Sequence, residues 1–264
     1  MKIGFIGLGN MADAMISGML QKNIVKAEDI IGTAKTSATR EKMADRYGIS
    51  IKNTNKEAAE AADILVLAVK PQFLSEVIAE IKDAVSAETV VISIAAGKTI
   101  AWLEEAFGRQ MKIVRCMPNT PALVGEGCTG ICVNDRISEK EKNDSVQLME
   151  SFGKAHLIPE RLMDALGALS GSSPAYVFMF IEAMADAGVA AGIPRKQAYE
   201  LAAQSVYGSA KLVLESGKHP GELKDMVCSP GGTTIQGVRV LEEQGMRGAV
   251  MDALAACIEK TKEL

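Results

Sequence analysis

The stretch MKIGFIGLGNMADAM, residues 1–15, decides the fold. A short apolar run ends in Gly7-Leu8-Gly9-Asn10-Met11-Ala12 and passes directly into a helix pattern. This is a GxGxxA form of the dinucleotide fingerprint. Gly7 permits a tight turn, Gly9 lets the backbone approach a pyrophosphate, and the small Ala12 allows helix and strand to pack closely. The exposed N–H groups and dipole of the helix then favour an anion. Glycine-rich turns are common, so the weight of this one comes from its place after a first strand and from the pattern of the next 150 residues.

That pattern is alternation. Apolar runs at 3–7, 29–34, 63–69, 89–95 and 112–117 are separated by amphipathic stretches with helical spacing. Strands that read as continuous Val/Ile/Leu runs imply a parallel sheet covered on both faces. TGICVN, a charged helix and KAHLIP complete it by about residue 158. The fold class is therefore an α/β, Rossmann-like doubly wound domain over 1–158. Residues 159–264 show no strand period and predict helices at 164–169, 174–191, 194–216, 220–227 and 233–264, with a break at Gly245. The stretch AYVFMFIEAMADAGVAAG carries charge only at Glu182 and Asp186. A helix apolar on nearly every side is buried on nearly every side, which predicts an all-α dimerisation domain.

Composition excludes several classes. A net charge of −4 with no basic patch argues against a nucleic-acid partner. The five cysteines are scattered, none in CxxC spacing, and neither His156 nor His219 lies near a cysteine cluster. No metal site or disulfide framework is expected, and reduced thiols fit a cytoplasmic location. The N-terminus runs straight into a strand with no signal-peptide pattern, and no run reaches membrane-spanning length without a charge. Small molecules and other protein chains are the expected partners.

Ligands in open α/β sheets bind beyond the carboxyl ends of the strands. The expected cofactor residues are accordingly Ile6, Gly7, Leu8, Gly9, Asn10 and Met11 in the first turn, with Asn55. Ala68, Val69, Lys70 and Pro71, and then Ile94, Ala95 and Ala96, join them at two later strand ends. The second strand ends Thr33-Ala34-Lys35, without the acid that would hold an NAD ribose. Thr33 and Lys35 suit a 2′-phosphate, so NADPH is expected, with NADH as the alternative. In MPNTPALVGEG (117–127), two prolines around Asn119 make a rigid turn where a nicotinamide should lie, and Asn119 joins the expected cofactor residues.

The run DMVCSPGGTTIQG, 225–237, raises a nucleophile reading for Cys228 or Ser229. No adjacent base supports it. Gly231 and Gly232 give backbone freedom, Thr233 or Thr234 can cap the next helix, and the N–H groups of Gly232, Thr233 and Thr234 form an anion nest. The loop lacks the lysine of a nucleoside-triphosphate loop, and a small carboxylate fits.

FIGLGNMA, LAVKP, RCMPNTPALVGEG, ALSGSSPAYVF and HPGELKDMVCSPGGTTIQG together resemble the pyrroline-5-carboxylate reductase family over essentially the whole chain. One departure is visible: the family's Gly-Ser-Gly-Pro-Ala-Tyr reads Gly171-Ser172-Ser173-Pro174-Ala175-Tyr176 here, and Ser173 is expected to N-cap the following helix. The resemblance implies NAD(P)H-dependent reduction of the C=N bond of 1-pyrroline-5-carboxylate to L-proline, the last step of proline biosynthesis. It implies a homodimer with interlocked helical domains, which some members assemble into rings of dimers. It also implies Thr234 as the group hydrogen-bonding the ring nitrogen, with Ser229, Gly231, Gly232, Thr233 and Glu160 as substrate residues. A reductase of other imines would use the same site, and two further readings compete. A β-hydroxyacid dehydrogenase needs a lysine on the long helix, and 165–192 has none. A non-catalytic dinucleotide sensor would not need the substrate loops.

Overall fold

A computed structural model describes residues 1–263. The chain packs as two compact units, Met1–Ser172 joined by the segment from Cys257, and Ser173–Ala256.

The first unit carries β1 (Ile3–Ile6), α1 (Asn10–Gln21), β2 (Ile30–Thr33), α2 (Ser37–Tyr47), β3 (Ser50–Ile51), α3 (Asn55–Ala61) and β4 (Ile64–Leu67). Then come α4 (Leu74–Ile81), β5 (Val90–Ser93), α5 (Ile100–Phe107), β6 (Lys112–Met117), β7 (Gly127–Val133), α6 (Glu139–Glu150), β8 (Gly153–Leu157) and α7 (Met163–Leu166). The sheet runs β3-β2-β1-β4-β5-β6-β7-β8. β1 to β6 are parallel, as the apolar runs predict, but β7 pairs antiparallel to β6. The reason is local. Only a short loop separates β6 from β7, and a parallel return needs a crossover of a dozen residues or more.

Side chains alternate across the sheet and feed two cores. Ile3, Phe5, Val114 and Cys116 face one layer with Met15 and Phe152, and Ile6, Leu65, Leu67 and Ile113 face the other with Ile78 and Leu103. Helix starts are fixed by capping boxes at Thr54 with Glu57 and at Ser138 with Glu141. The two-residue β3 has no apolar run of its own to mark it as a strand in the sequence. The division at 158/159 marks the end of the sheet, yet 160–172 packs with the sheet unit. Met163 and Ala168 are buried there, and Leu166 packs into one of its cores.

The second unit holds α8 (Ser173–Ala190), α9 (Arg195–Ser216), α10 (Pro220–Val227), α11 (Thr233–Glu243) and α12 (Met246–Thr261), which extends past it. Gly245, at φ +73°, supplies the expected break. Ser173 does not cap α8. A π-helical stretch, Gly167–Ser172, runs into it, so the backbone N–H groups there already lie in a continuous helical run. Among the described residues of 173–256, the buried hydrophobics are Ala185, Ala198, Ala202 and Leu223. Large ones such as Phe178, Met179, Leu201, Tyr207 and Leu214 are exposed on the single chain. No described helix is long and apolar enough to cross a membrane.

Candidate active site

At the carboxyl end of β1 the chain turns through Gly7 at φ +95°. A Cβ here would stand 2.7 Å from the Ala68 carbonyl oxygen. Gly9 is the N-cap of α1, and no side chain caps that terminus. A Cβ on Gly9 would meet nothing within 4 Å, so there is open space beside the N-cap of α1. An uncapped helix terminus beneath an open glycine fits a pyrophosphate. Leu8 is buried, and Gly32 makes room for it, since a Cβ there would lie 2.9 Å from the Leu8 methyls.

Around this turn the expected cofactor residues fall into two groups. The Thr33 hydroxyl is buried and donates to Asn55 Oδ1 at 2.7 Å, while Asn55 Nδ2 donates to Glu80 at 2.8 Å. Thr33 therefore orients Asn55 and does not present its proton outward. Lys35 is exposed, its Nζ 5.9 Å from the Phe73 ring centre. Arg40, which carries no motif signal in the sequence, donates to the Ala34 carbonyl at 2.6 Å and fixes the same loop. Pro71 opens a 3₁₀ turn after Lys70, and buried Ala95 with Ala96 follows β5. Ile6, Ala68, Val69 and Ile94 line the strand ends between them.

The exit of β6 is a clamp. Asn119 is buried, its Nδ2 donating to the Ser170 carbonyl at 2.9 Å and its Oδ1 accepting the Cys128 N–H at 2.8 Å. Beneath it Arg115 is 2% exposed and pairs with Glu160 at 3.1 Å and Asp164 at 3.2 Å. Glu160 Oε1 also accepts the Ile100 N–H at 2.7 Å, so this carboxylate is held by the protein from two sides. Arg115 and Asp164 were not among the residues the sequence singles out. The visible signal was a lone cation in the otherwise apolar core of the KIVRCM strand.

In the second unit, the His219 Nδ1 accepts the Gly221 N–H at 3.0 Å and starts α10 at Pro220. Gly231 turns at φ +69°, and a Cβ on Gly232 would collide with the Ser229 hydroxyl. Two expectations need correction. The Gly232 N–H is bonded to the Ser229 carbonyl at 3.0 Å, so it is not a free donor. Gly232 itself is the N-cap of α11, without a side-chain cap, so neither Thr233 nor Thr234 caps the helix. Both threonines lie in the first turn, exposed, on a terminus whose N–H groups are open.

Three thiols of the sheet unit, Cys116, Cys128 and Cys132, are held toward their protonated form by burial. Burial pushes Cys132 up to about 11, and Cys116 higher still. Burial likewise raises Cys128. No disulfide joins any of the five cysteines, all of which are described.

A doubly wound sheet with an open glycine turn at its first helix, followed by a helical unit, defines a dinucleotide-dependent oxidoreductase. Residues 160–264 match the family described as pyrroline-5-carboxylate reductase dimerisation, and 2–97 match that described as NADP oxidoreductase, coenzyme F420-dependent. The Escherichia coli (strain K12) pyrroline-5-carboxylate reductase is 48% identical over 263 residues, covering 100% of this chain and 98% of that one. The Methanosarcina acetivorans pyrroline-5-carboxylate reductase is 44% identical, over 100% of this chain and 97% of its own. A crystal structure of Plasmodium falciparum pyrroline carboxylate reductase with NADP bound superposes with TM-score 0.89 at 38% identity, covering 99% of this chain and 97% of that one. The chain belongs to the pyrroline-5-carboxylate reductase family.

Proposed function

We propose that the chain reduces the C=N bond of 1-pyrroline-5-carboxylate to L-proline, the last step of proline biosynthesis, with NADPH as reductant and NADH as the alternative. Full-length identity of 48% to a pyrroline-5-carboxylate reductase carries this reading. The bound dinucleotide supplies the hydride. The uncapped terminus of α1 holds its pyrophosphate, and exposed Lys35 draws the 2′-phosphate. Asn55, oriented by Thr33 and Glu80, borders the same site.

The substrate carboxylate is assigned to the first-turn N–H groups of Thr233 and Thr234, with Ser229, Gly231 and Gly232 shaping the loop. The Thr234 hydroxyl hydrogen-bonds the ring nitrogen. A protonated imine is already electrophilic, so positioning does most of the work and no strong acid is required. Glu160 is a further substrate residue of this reading, its Oε1 tied to Arg115 and to the Ile100 N–H.

We further propose a homodimer formed through the exposed apolar helices of the second unit, in the cytoplasm, where reduced thiols persist. Rings of dimers are the next level of assembly to examine. The test of function is NADPH oxidation followed by absorbance with pyrroline-5-carboxylate, and proline identified as product. Tight NADPH binding without turnover would favour a sensor instead.

A further inference from the structure

A buried arginine needs a reason, because removing a charge from water is costly unless its partners are well placed. Arg115 is the largest fully buried side chain among the described residues. It takes a sheet position on the face shared with Ile113 and Met117, where an apolar side chain would pack without desolvation. Its Nε has no hydrogen-bond partner among the described residues, so even its own donors are not fully satisfied. Such an ion pair is weak evidence for stability. A role in holding something in place accounts for it better.

What it holds is the segment after the sheet. Arg115 reaches Glu160 and Asp164, which bracket the start of α7. Glu160 ties the same point to the first N–H of α5. The segment is also fitted to the sheet by shape. Leu166 lies against Gly130 on β7, where a Cβ would come within 2.7 Å of its methyl. From there the chain enters the π-helical stretch Gly167–Ser172, a rare geometry that often occurs at functional sites. Its Ser170 carbonyl is the one that Asn119 grips from the β6 exit loop. The other end of the Asn119 amide grips β7 through the Cys128 N–H.

We infer that Arg115 is a positioning residue for hydride transfer: through Glu160 and Asp164 it seats the 160–172 segment, and Asn119 transmits that seating to the loop at the carboxyl end of β6. This end of the strand is where a bound nicotinamide belongs in an open α/β sheet. No hydrogen bond among the described residues joins the pyrophosphate turn at Gly7–Gly9 to this network. Loss of the network should therefore impair the reaction more than dinucleotide binding. The inference rests on the reductase reading above, and wild-type turnover of pyrroline-5-carboxylate tests that reading first.

The experiment compares Arg115→Met, Arg115→Lys, Asp164→Asn, Asn119→Ser and the double variant Arg115→Met/Asn119→Ser in the full-length protein. Circular dichroism and thermal melts report folding, and fluorescence titration gives the NADPH Kd and the emission of the bound cofactor. Steady-state kinetics give kcat and KM. A shift of about 1 Å at a reacting centre can cost on the order of 100-fold. Arg115→Met and Asn119→Ser should each lower kcat about 10- to 100-fold and alter bound-NADPH emission, with Kd within about threefold of wild type. Arg115→Lys should recover part of the loss, and the double variant should be no worse than the worse single one. A folded Arg115→Met with wild-type kcat, or losses that multiply in the double variant, would overturn the inference. If Arg115→Met fails to fold, Asp164→Asn decides, since it leaves the Glu160 pair intact. Unchanged kcat and emission in that variant would overturn it equally.

Discussion

Thr234 is the residue on which the proposed chemistry turns. Its hydroxyl sits exposed in the first turn of α11, on a helix whose N-terminus no side chain closes. Thr234→Ala should lower turnover on the order of 10- to 1000-fold, because one positioned hydrogen-bond partner is lost at the site of charge change. Retention of both kcat and KM in steady-state assays would remove Thr234 from the mechanism. At the cofactor turn, Gly7→Ala meets two penalties at once. The backbone is held at φ +95°, which costs a side chain about 1–3 kcal/mol, and the new methyl runs into the Ala68 carbonyl. NADPH affinity should fall at least about tenfold by fluorescence titration, the equivalent of roughly 1.4 kcal/mol. In the loop where Cys228 and Ser229 first look like nucleophiles, the Ser229 carbonyl accepts the Gly232 N–H and closes the turn.

The charged run 139–144 shows how an element departs from its sequence appearance. It reads as a solvated face, and Lys140–Asp144 and Lys142–Glu139 are surface pairs of little energetic worth. Glu141 is different. It closes the capping box with Ser138 and bonds Lys112 on β6 at 2.9 Å. Burial works against its ionisation, yet the hydrogen bonds from Ser138 and Lys112 hold the carboxyl down at about 2. A depressed folded-state value means this stabilisation is complete above the ordinary value of 4.5 and is lost as pH falls toward 2. The melting-temperature gap between wild type and Glu141→Gln should therefore be constant above about pH 5 and close between about pH 4.5 and 2. A gap independent of pH across that range would assign the effect to packing alone.

For the whole molecule the decisive feature is the poverty of buried apolar surface in residues 173–256. α8 and α9 pack through small residues around Ala185, Ala198 and Ala202, supported by Ile181, Met184 and Ile193. Phe178 and Met179 meanwhile stay exposed on the single chain. So many large apolar side chains left exposed suit an association face, and the match of 160–264 to a reductase dimerisation family agrees with that. Sedimentation equilibrium should give a dimer or a multiple of it. Met179→Glu should shift the population toward monomer and lower the melting temperature, whereas a monomeric wild type would refute the homodimer.

The sequence by itself determined the order of elements, the parallel core of the sheet, the cofactor turn and the succession of helices from 164 onward. These obey local rules: apolar periodicity, glycine at positive φ, and proline at helix starts. It also carried the family, because the loop motifs are contiguous. Only the tertiary structure decided which polar groups face each other. The antiparallel turn of β7, the π-helical run that displaces Ser173 from a cap, and the Gly232 N–H bound by Ser229 depend on chain reversals that periodicity does not record. Thr33 with Asn55, Asn119 with Ser170, and Arg115 with Glu160 and Asp164 join residues 22 to 51 positions apart. Such pairs form only when the sheet brings distant segments together, and burial then makes their pairing obligatory.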